Sequence, residues 1–177
     1  MKNRFLSNKK HILQLIGSCI FSIFIFSACE KDDFCLDNPV TPKLVIRFYD
    51  NFNRDITKRV DRLSIFLENA ADSIIKQQNT DSIAIPLNPA NFLNNTTKEI
   101  TFIFRTEDEK IANTEKEAKL KIAYIPQEDY VSRSCGFRII FNEVTLETIE
   151  SAWIKELNTK DLTTINNQNA AHIQIFH

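Results

Sequence analysis

A chain of 177 residues that is 43% hydrophobic and 25% charged has the size and make-up of one globular domain. Its formal net charge is −1 with no concentrated basic stretch, which argues against a nucleic-acid binder. Of its two glycines only Gly136 lies beyond the N-terminal segment. That excludes the Gly-rich phosphate loops, the dinucleotide fingerprint and the Gly-x-Ser-x-Gly nucleophile elbow from the rest of the chain.

Residues 1–28 carry Lys2, Arg4, Lys9 and Lys10 and no acidic residue. From Ile12 to Phe26 there is no charge. A basic head, an uncharged and mostly apolar run and a small-residue exit predict a secretory signal over 1–28. A transmembrane anchor usually needs roughly 17–25 apolar residues, so the run is short for that role. Beyond residue 28, eighteen basic residues face 23 acidic ones, a net charge of −5.

Phe26-Ser27-Ala28-Cys29 ends the apolar run. It resembles the lipobox of bacterial lipoproteins, although Phe26 stands where Leu is usual. The resemblance implies a diacylglycerol on the Cys29 thiol and cleavage before it. Two acyl chains, each adding about 0.8 kcal/mol per buried CH₂, would hold the protein on a membrane without a spanning segment. An ordinary cleaved signal, leaving Cys29 as a thiol, is the alternative. Glu30-Lys31-Asp32-Asp33 follows as a solvated tether. Lys31, Asp32 and Asp33 also resemble the surface-export signal of lipoproteins in the Bacteroidota.

Cys19 falls in the signal and Cys29 is read as the lipid site, which leaves Cys35 and Cys135. In an oxidising compartment an even pair predicts a disulfide. Closing a loop of that length is worth about 4.7 kcal/mol in the chain-entropy description. Two buried free thiols are the alternative. A metal site is not expected, because no third ligand stands near either cysteine.

Residues 29–41 read as the lipidated tether and lead-in loop, and 42–177 as the folded domain. There the dominant period is two, the mark of half-buried strands. Leu44, Ile46 and Phe48 alternate in this way, as do Leu63, Ile65 and Leu67. Ile83 and Ile85 precede Pro86. Ile100, Phe102 and Phe104, then Leu120, Ile122 and Tyr124, then Phe137, Ile139 and Phe141 continue the pattern, and Ile173 and Ile175 close it. Segments around Ser73–Ile75 and Trp153–Leu157 add two candidate strands, and Glu115–Leu120 is read as a turn of helix. The polar separators are rich in Asn, which is expected to fill many positive-φ turn positions. Seven to nine strands predict an all-β, antiparallel β-sandwich, immunoglobulin-like, with a closed barrel as the second choice.

Beyond the signal only His172 and His177 remain as histidines. Their spacing of five would place them on opposite faces of one strand, which does not suit a shared metal. Asp32-Asp33 and Glu107-Asp108-Glu109 lie in the tether and in a loop, where paired carboxylates are poorly fixed for acid–base work. No catalytic residue and no cofactor is assigned. Tyr49, Phe52, Phe66, Tyr130 and Trp153 could form a binding patch or serve as core.

The lipobox ending at Cys29, the acidic tether with Cys35, the segment "TPKLVIRFYD", the strand "SCGFRIIF" and the closing "AHIQIF" together resemble small Bacteroidota lipoproteins of a domain family of unknown function. The resemblance implies a lipid-anchored outer-membrane protein, displayed on the cell surface or facing the periplasm, without a known activity. Three readings follow: a non-enzymatic envelope module held to the membrane through Cys29 and meeting an envelope protein or glycan; a surface carbohydrate- or ligand-binding accessory protein; and, least supported, a hydrolase.

Overall fold

A computed structural model describes residues 35, 40–90, 92–107, 115–159 and 162–177. The chain divides into one unit ending at Cys35 and a second spanning Leu36–His177. All described strands belong to the second: β1 (Leu44–Tyr49), β2 (Val60–Leu67), β3 (Ser73–Thr80), β4 (Ser82–Ile85), β5 (Lys98–Thr106), β6 (Lys116–Ser132), β7 (Gly136–Ser151), β8 (Glu156–Asn158), β9 (Thr164–Ile165) and β10 (Ile173–Phe176). A 3₁₀ turn at Phe92–Asn94 is the helical element among them. The segment read as a turn of helix is instead the start of β6, where Glu117 and Lys119 alternate with buried Ala118 and Leu120.

The strands form two packed sheets, as the period of two predicts. One has the order β4-β1-β10-β8 and the other β3-β2-β5-β6-β7-β9. Pairing is antiparallel throughout except between β1 and β10, which run parallel from Ile46↔Ile173 to Tyr49↔Phe176. The first and last strands of the domain are thus neighbours.

Leu44, Ile46 and Phe48 of β1 and Ile173 and Ile175 of β10 face the second sheet. There Leu63, Ile65, Phe102, Phe104, Leu120, Ile122, Tyr124 and Phe141 complete one core. Burying each side chain of this size contributes about 1.5–3 kcal/mol. Polar atoms within the core are satisfied: the Trp153 indole N–H donates to the Phe104 carbonyl at 3.2 Å. The Tyr124 hydroxyl donates to the Asn88 carbonyl at 3.2 Å and accepts the Asn88 N–H at 3.1 Å.

Strict alternation is broken by β-bulges in the β2–β3 and β6–β7 pairings, three residues of which have positive φ. Val60 and Leu63 are three residues apart yet both buried. The extra residue is absorbed by Arg62, whose φ is +44° and whose N–H reaches Asn79 Oδ1 at 2.6 Å. On the facing strand Gln77 takes the same φ of +44°, and its N–H reaches Ser64 Oγ at 3.0 Å. Phe141 and Val144 are likewise both buried, with Glu143 between them at a φ of +51°. Bulges re-aim the side chains that follow them. Among the described residues Asn95 is the one asparagine at positive φ, so asparagine does not take the broad role expected of it. The bulges use longer residues whose backbone N–H groups or neighbours are held by side chains. Pro86 directly follows the edge strand β4, and bulged, Lys76-bearing β3 forms another edge; both features discourage pairing with other chains.

Ser64→Ala removes the acceptor inside the β2–β3 bulge and is expected to lower unfolding stability by about 1–3 kcal/mol. Glu143→Gly relieves a left-handed backbone worth about 1–2 kcal/mol against a glycine cost of about 0.5–1 kcal/mol. It is therefore expected to leave stability unchanged or slightly raised. Urea unfolding midpoints of the two variants check both signs.

Candidate functional site

Cys29 and the tether residues Lys31, Asp32 and Asp33 lie outside the described residues. Cys35 and Cys135 are both disulfide-bonded. Cys135 sits in the turn between β6 and β7, where its N–H is held by Ser132 Oγ at 3.0 Å and Gly136 supplies a φ of +72°. A left-handed glycine closing a short hairpin turn is the usual economy of such loops. It is also the one place where this glycine-poor chain spends a glycine beyond its N-terminal segment.

The β6–β7 hairpin is longer than the sheet around it. Pairing of β5 with β6 stops at Lys98↔Tyr124, but β6 and β7 stay paired out to Ser132↔Gly136. No residue from Gln127 to Ile140 is buried. The outer part is therefore a two-stranded arm with little core of its own, a form that is marginally stable alone. Arg138 Nε to Asp129 Oδ2 at 2.8 Å and an edge-on Tyr130–Phe137 ring pair at 5.2 Å tie its strands together. Tyr130 is 60% exposed and Phe137 57% exposed, and neighbouring Val131 is exposed too. Phe137 was legible in the sequence as an inward strand residue, but its exposure was not. It follows from β6 and β7 continuing past the last β5 pairing into a stretch without buried residues.

The five aromatic candidates do not converge. Trp153 is buried. Tyr49 lies half-buried against Phe176 with ring centroids 5.6 Å apart. Phe66 is capped by the Arg105 guanidinium, 4.8 Å from the ring centre. Phe52 is 95% exposed on the loop after β1, and Tyr130 stands on the arm.

The outer face of the six-stranded sheet is a mesh of ion pairs. Arg105 meets Glu117 at 2.9 Å and Glu115 at 3.4 Å, Lys119 meets Glu117 and Glu150 at 3.4 Å each, and Lys121 meets Glu99 at 2.9 Å. Burial pushes the Glu117 carboxyl up, but hydrogen bonds from Arg105 and Lys119 outweigh it and hold it below the ordinary range. A shallow cleft of about 360 Å³ beside this mesh is lined by Arg62, Phe66, Lys76, Arg105, Glu107 and Glu115. Its charges largely answer one another: Arg62 pairs with Glu107 at 3.3 Å and Arg105 with Glu115.

A second cleft, about 600 Å³, lies at the β6 end opposite the arm and carries Lys58, Arg59, Lys116, Lys155 and His177. Its hydroxyl and imidazole are committed to backbone. Thr106 Oγ1 donates to the Asp61 carbonyl at 2.8 Å, and His177 Nε2 lies 3.3 Å from the Lys58 carbonyl. Among the described residues no three of His, Cys, Asp and Glu gather as a metal site.

His172 sits just before β10 rather than within it. Its Nδ1 accepts the Val45 N–H at 2.9 Å, while the His172 backbone N–H donates to the Val45 carbonyl at 2.8 Å. The ring thus replaces a rung at the start of the β1–β10 pairing. Burial holds the His172 imidazole below the usual range, against a smaller upward pull from the Asn167 backbone. His177, packed edge-on to Phe48 and Trp153, is lowered by burial as well. Among the described residues no hydroxyl is hydrogen-bonded to either imidazole, and His172 Nδ1 and His177 Nε2 both meet backbone.

A model of a family of unknown function, DUF6452, matches residues 62–177. The chain belongs to that family. The match runs from Arg62 in β2 through the arm to His177 and so includes five of the six strands of the larger sheet whole and most of β2. No curated protein matches the chain. No solved structure matches it either.

The two histidines set an expected pH dependence. Both are favoured neutral in the fold, so their contribution is fully present above the unfolded value of 6.5 and is lost as pH falls below it toward the lowered folded values. Urea midpoints are expected to drop between pH 7 and pH 5. His172→Asn keeps a side-chain acceptor near the Val45 N–H and is expected to flatten part of that drop. His172→Leu leaves the N–H unmet and is expected to cost about 1–3 kcal/mol at pH 7. An unaltered pH profile in His172→Asn would show that this imidazole does not titrate with folding.

Proposed function

We propose that the protein is a lipid-anchored component of the outer membrane whose β-sandwich is a non-enzymatic binding or structural module. The observation that carries this reading is the placement of Cys29. It follows two small residues at the end of an uncharged run that begins after a basic head. An acyl-bearing cysteine there anchors a domain without a spanning helix. Disulfide bonding at both Cys35 and Cys135 supports an oxidising compartment. Pairing of these two with each other accounts for both, and Cys35 then fastens the start of the domain to the arm.

Lys31, Asp32 and Asp33 favour display on the cell surface over the periplasm-facing leaflet. The non-enzymatic reading draws on the commitment of His172, His177 and Thr106 to backbone partners. A surface carbohydrate- or ligand-binding role is the second reading. It has less support, because the aromatic candidates are dispersed and the broad sheet face carries ion pairs rather than rings.

The test is the fate of Cys29→Ser in cells. The native chain is expected in the membrane fraction with the mass of an acylated N-terminal cysteine, and the variant in the soluble fraction. A variant that stays on the membrane contradicts the anchor. Protease added to intact cells is expected to remove the domain; full protection contradicts surface display.

A further inference from the structure

We infer that the tip of the β6–β7 arm docks on the bilayer surface, with Tyr130 and Phe137 at the headgroup level. This rests on the lipid-anchor reading above. The inference begins with alternation. Phe141, Ile139 and Phe137 lie on one face of β7, and Tyr124, Pro126 and Tyr130 on the matching face of β6, paired as Pro126↔Phe141 and Tyr130↔Phe137. Near the sandwich this is the core face: Tyr124 and Phe141 are fully buried and their rings meet edge-on at 5.1 Å. Further out Ile139 is partly covered, and at the tip Tyr130 and Phe137 are more than half exposed. An inward apolar strip therefore runs out of the domain and ends uncovered.

The occupant follows from chain length. Cys29 and Cys35 are six residues apart, a reach of at most about 22 Å when fully extended. A disulfide brings its two Cα atoms to roughly 5.5–6 Å. With Cys35 bonded to Cys135, the arm's turn is held within about 28 Å of the acyl chains. The opposite end of β6 lies 16 residues from Ser132, roughly 50 Å away along the strand. The end of the domain nearest the membrane is thus the end that carries the bare aromatic pair. Tyr and Phe bring an apolar body, and Tyr a polar tip, which suits the boundary between headgroups and acyl chains.

The experiment uses the full chain purified from membranes and reconstituted into phosphatidylcholine vesicles, with or without bromine on the upper acyl carbons. Tyr130→Trp and, separately, Phe137→Trp place an indole at the tip. Trp153, buried at the far end, is the internal reference. The introduced indole is expected to shift to the blue and to lose emission in the brominated vesicles, while the native protein, with Trp153 alone, keeps its emission. Two variants guard against one of them failing to fold. Intact mass of the same sample reads the anchor separately. A protein without acyl chains overturns the anchor and the docking with it. An acylated protein with an unquenched, red-shifted tip indole in both variants overturns the docking alone, as would a tip covered by a second copy or another protein.

Discussion

The pairing of β6 with β7 is the interaction on which the rest of the molecule depends. On its inner face this ribbon supplies Leu120, Ile122, Tyr124 and Phe141 to the core, against which β1 and β10 close. On its outer face Glu117, Lys119 and Glu150 take part in the ion-pair mesh. Beyond the sheet the same two strands continue as the arm. One ladder of hydrogen bonds thus joins a buried region to one without buried residues. The core half is held by burial. The outer half has no such support, and the disulfide at Cys135 is what a bare hairpin end requires.

The two faces of the larger sheet explain where a ligand would and would not go. Alternating charges on the outer face are mutually answered and solvated, so that face offers little apolar surface to a partner. The clefts follow the same logic: polar side chains are prominent in their lining, and Ser64 in the first and Thr106 and His177 in the second are turned to backbone. Exposed apolar side chains stand on the loop bearing Phe52 and Ile56, at Leu93 in the 3₁₀ turn, at Ile74 and Ile149 within strands, and at the arm tip with Tyr130, Val131 and Phe137. Of these the arm tip alone combines a ring pair, a two-stranded ladder and a disulfide at its turn.

Much of this was legible in the sequence, and the remainder was hidden for physical reasons. Period-two alternation places β1, β2, β4, β5, β10 and the first half of β6 correctly, because one face of each packs on the core. The first half of β7 is placed too, because the same alternation of Phe137, Ile139 and Phe141 continues outward from the buried Phe141. The outer part of β6 and the second half of β7 escape that signal, since residues such as Glu128 and Thr145 lie on stretches that bury little. β9, two residues long, carries too short a pattern to read. The bulges at Arg62, Gln77 and Glu143 break the period in ways that propensity does not mark. The parallel meeting of β1 and β10 is a matter of topology, and only the apolar faces of the two strands hint that both are central. For the candidate site, disulfide bonding at Cys35 and Cys135 was legible from the number and position of the cysteines. The arm tip was not, because Phe137 reads as core until it is known where β5 stops pairing with β6.

Placing the domain on a membrane by its arm depends most on which cysteine is joined to which. Peptide mapping of the purified chain, with free thiols blocked and no reductant, reads this directly. The expected result is a single cross-linked species containing the Cys35 and Cys135 peptides, which separates into the two on reduction. Recovery of both peptides with blocked thiols, or of either one linked elsewhere, would contradict it.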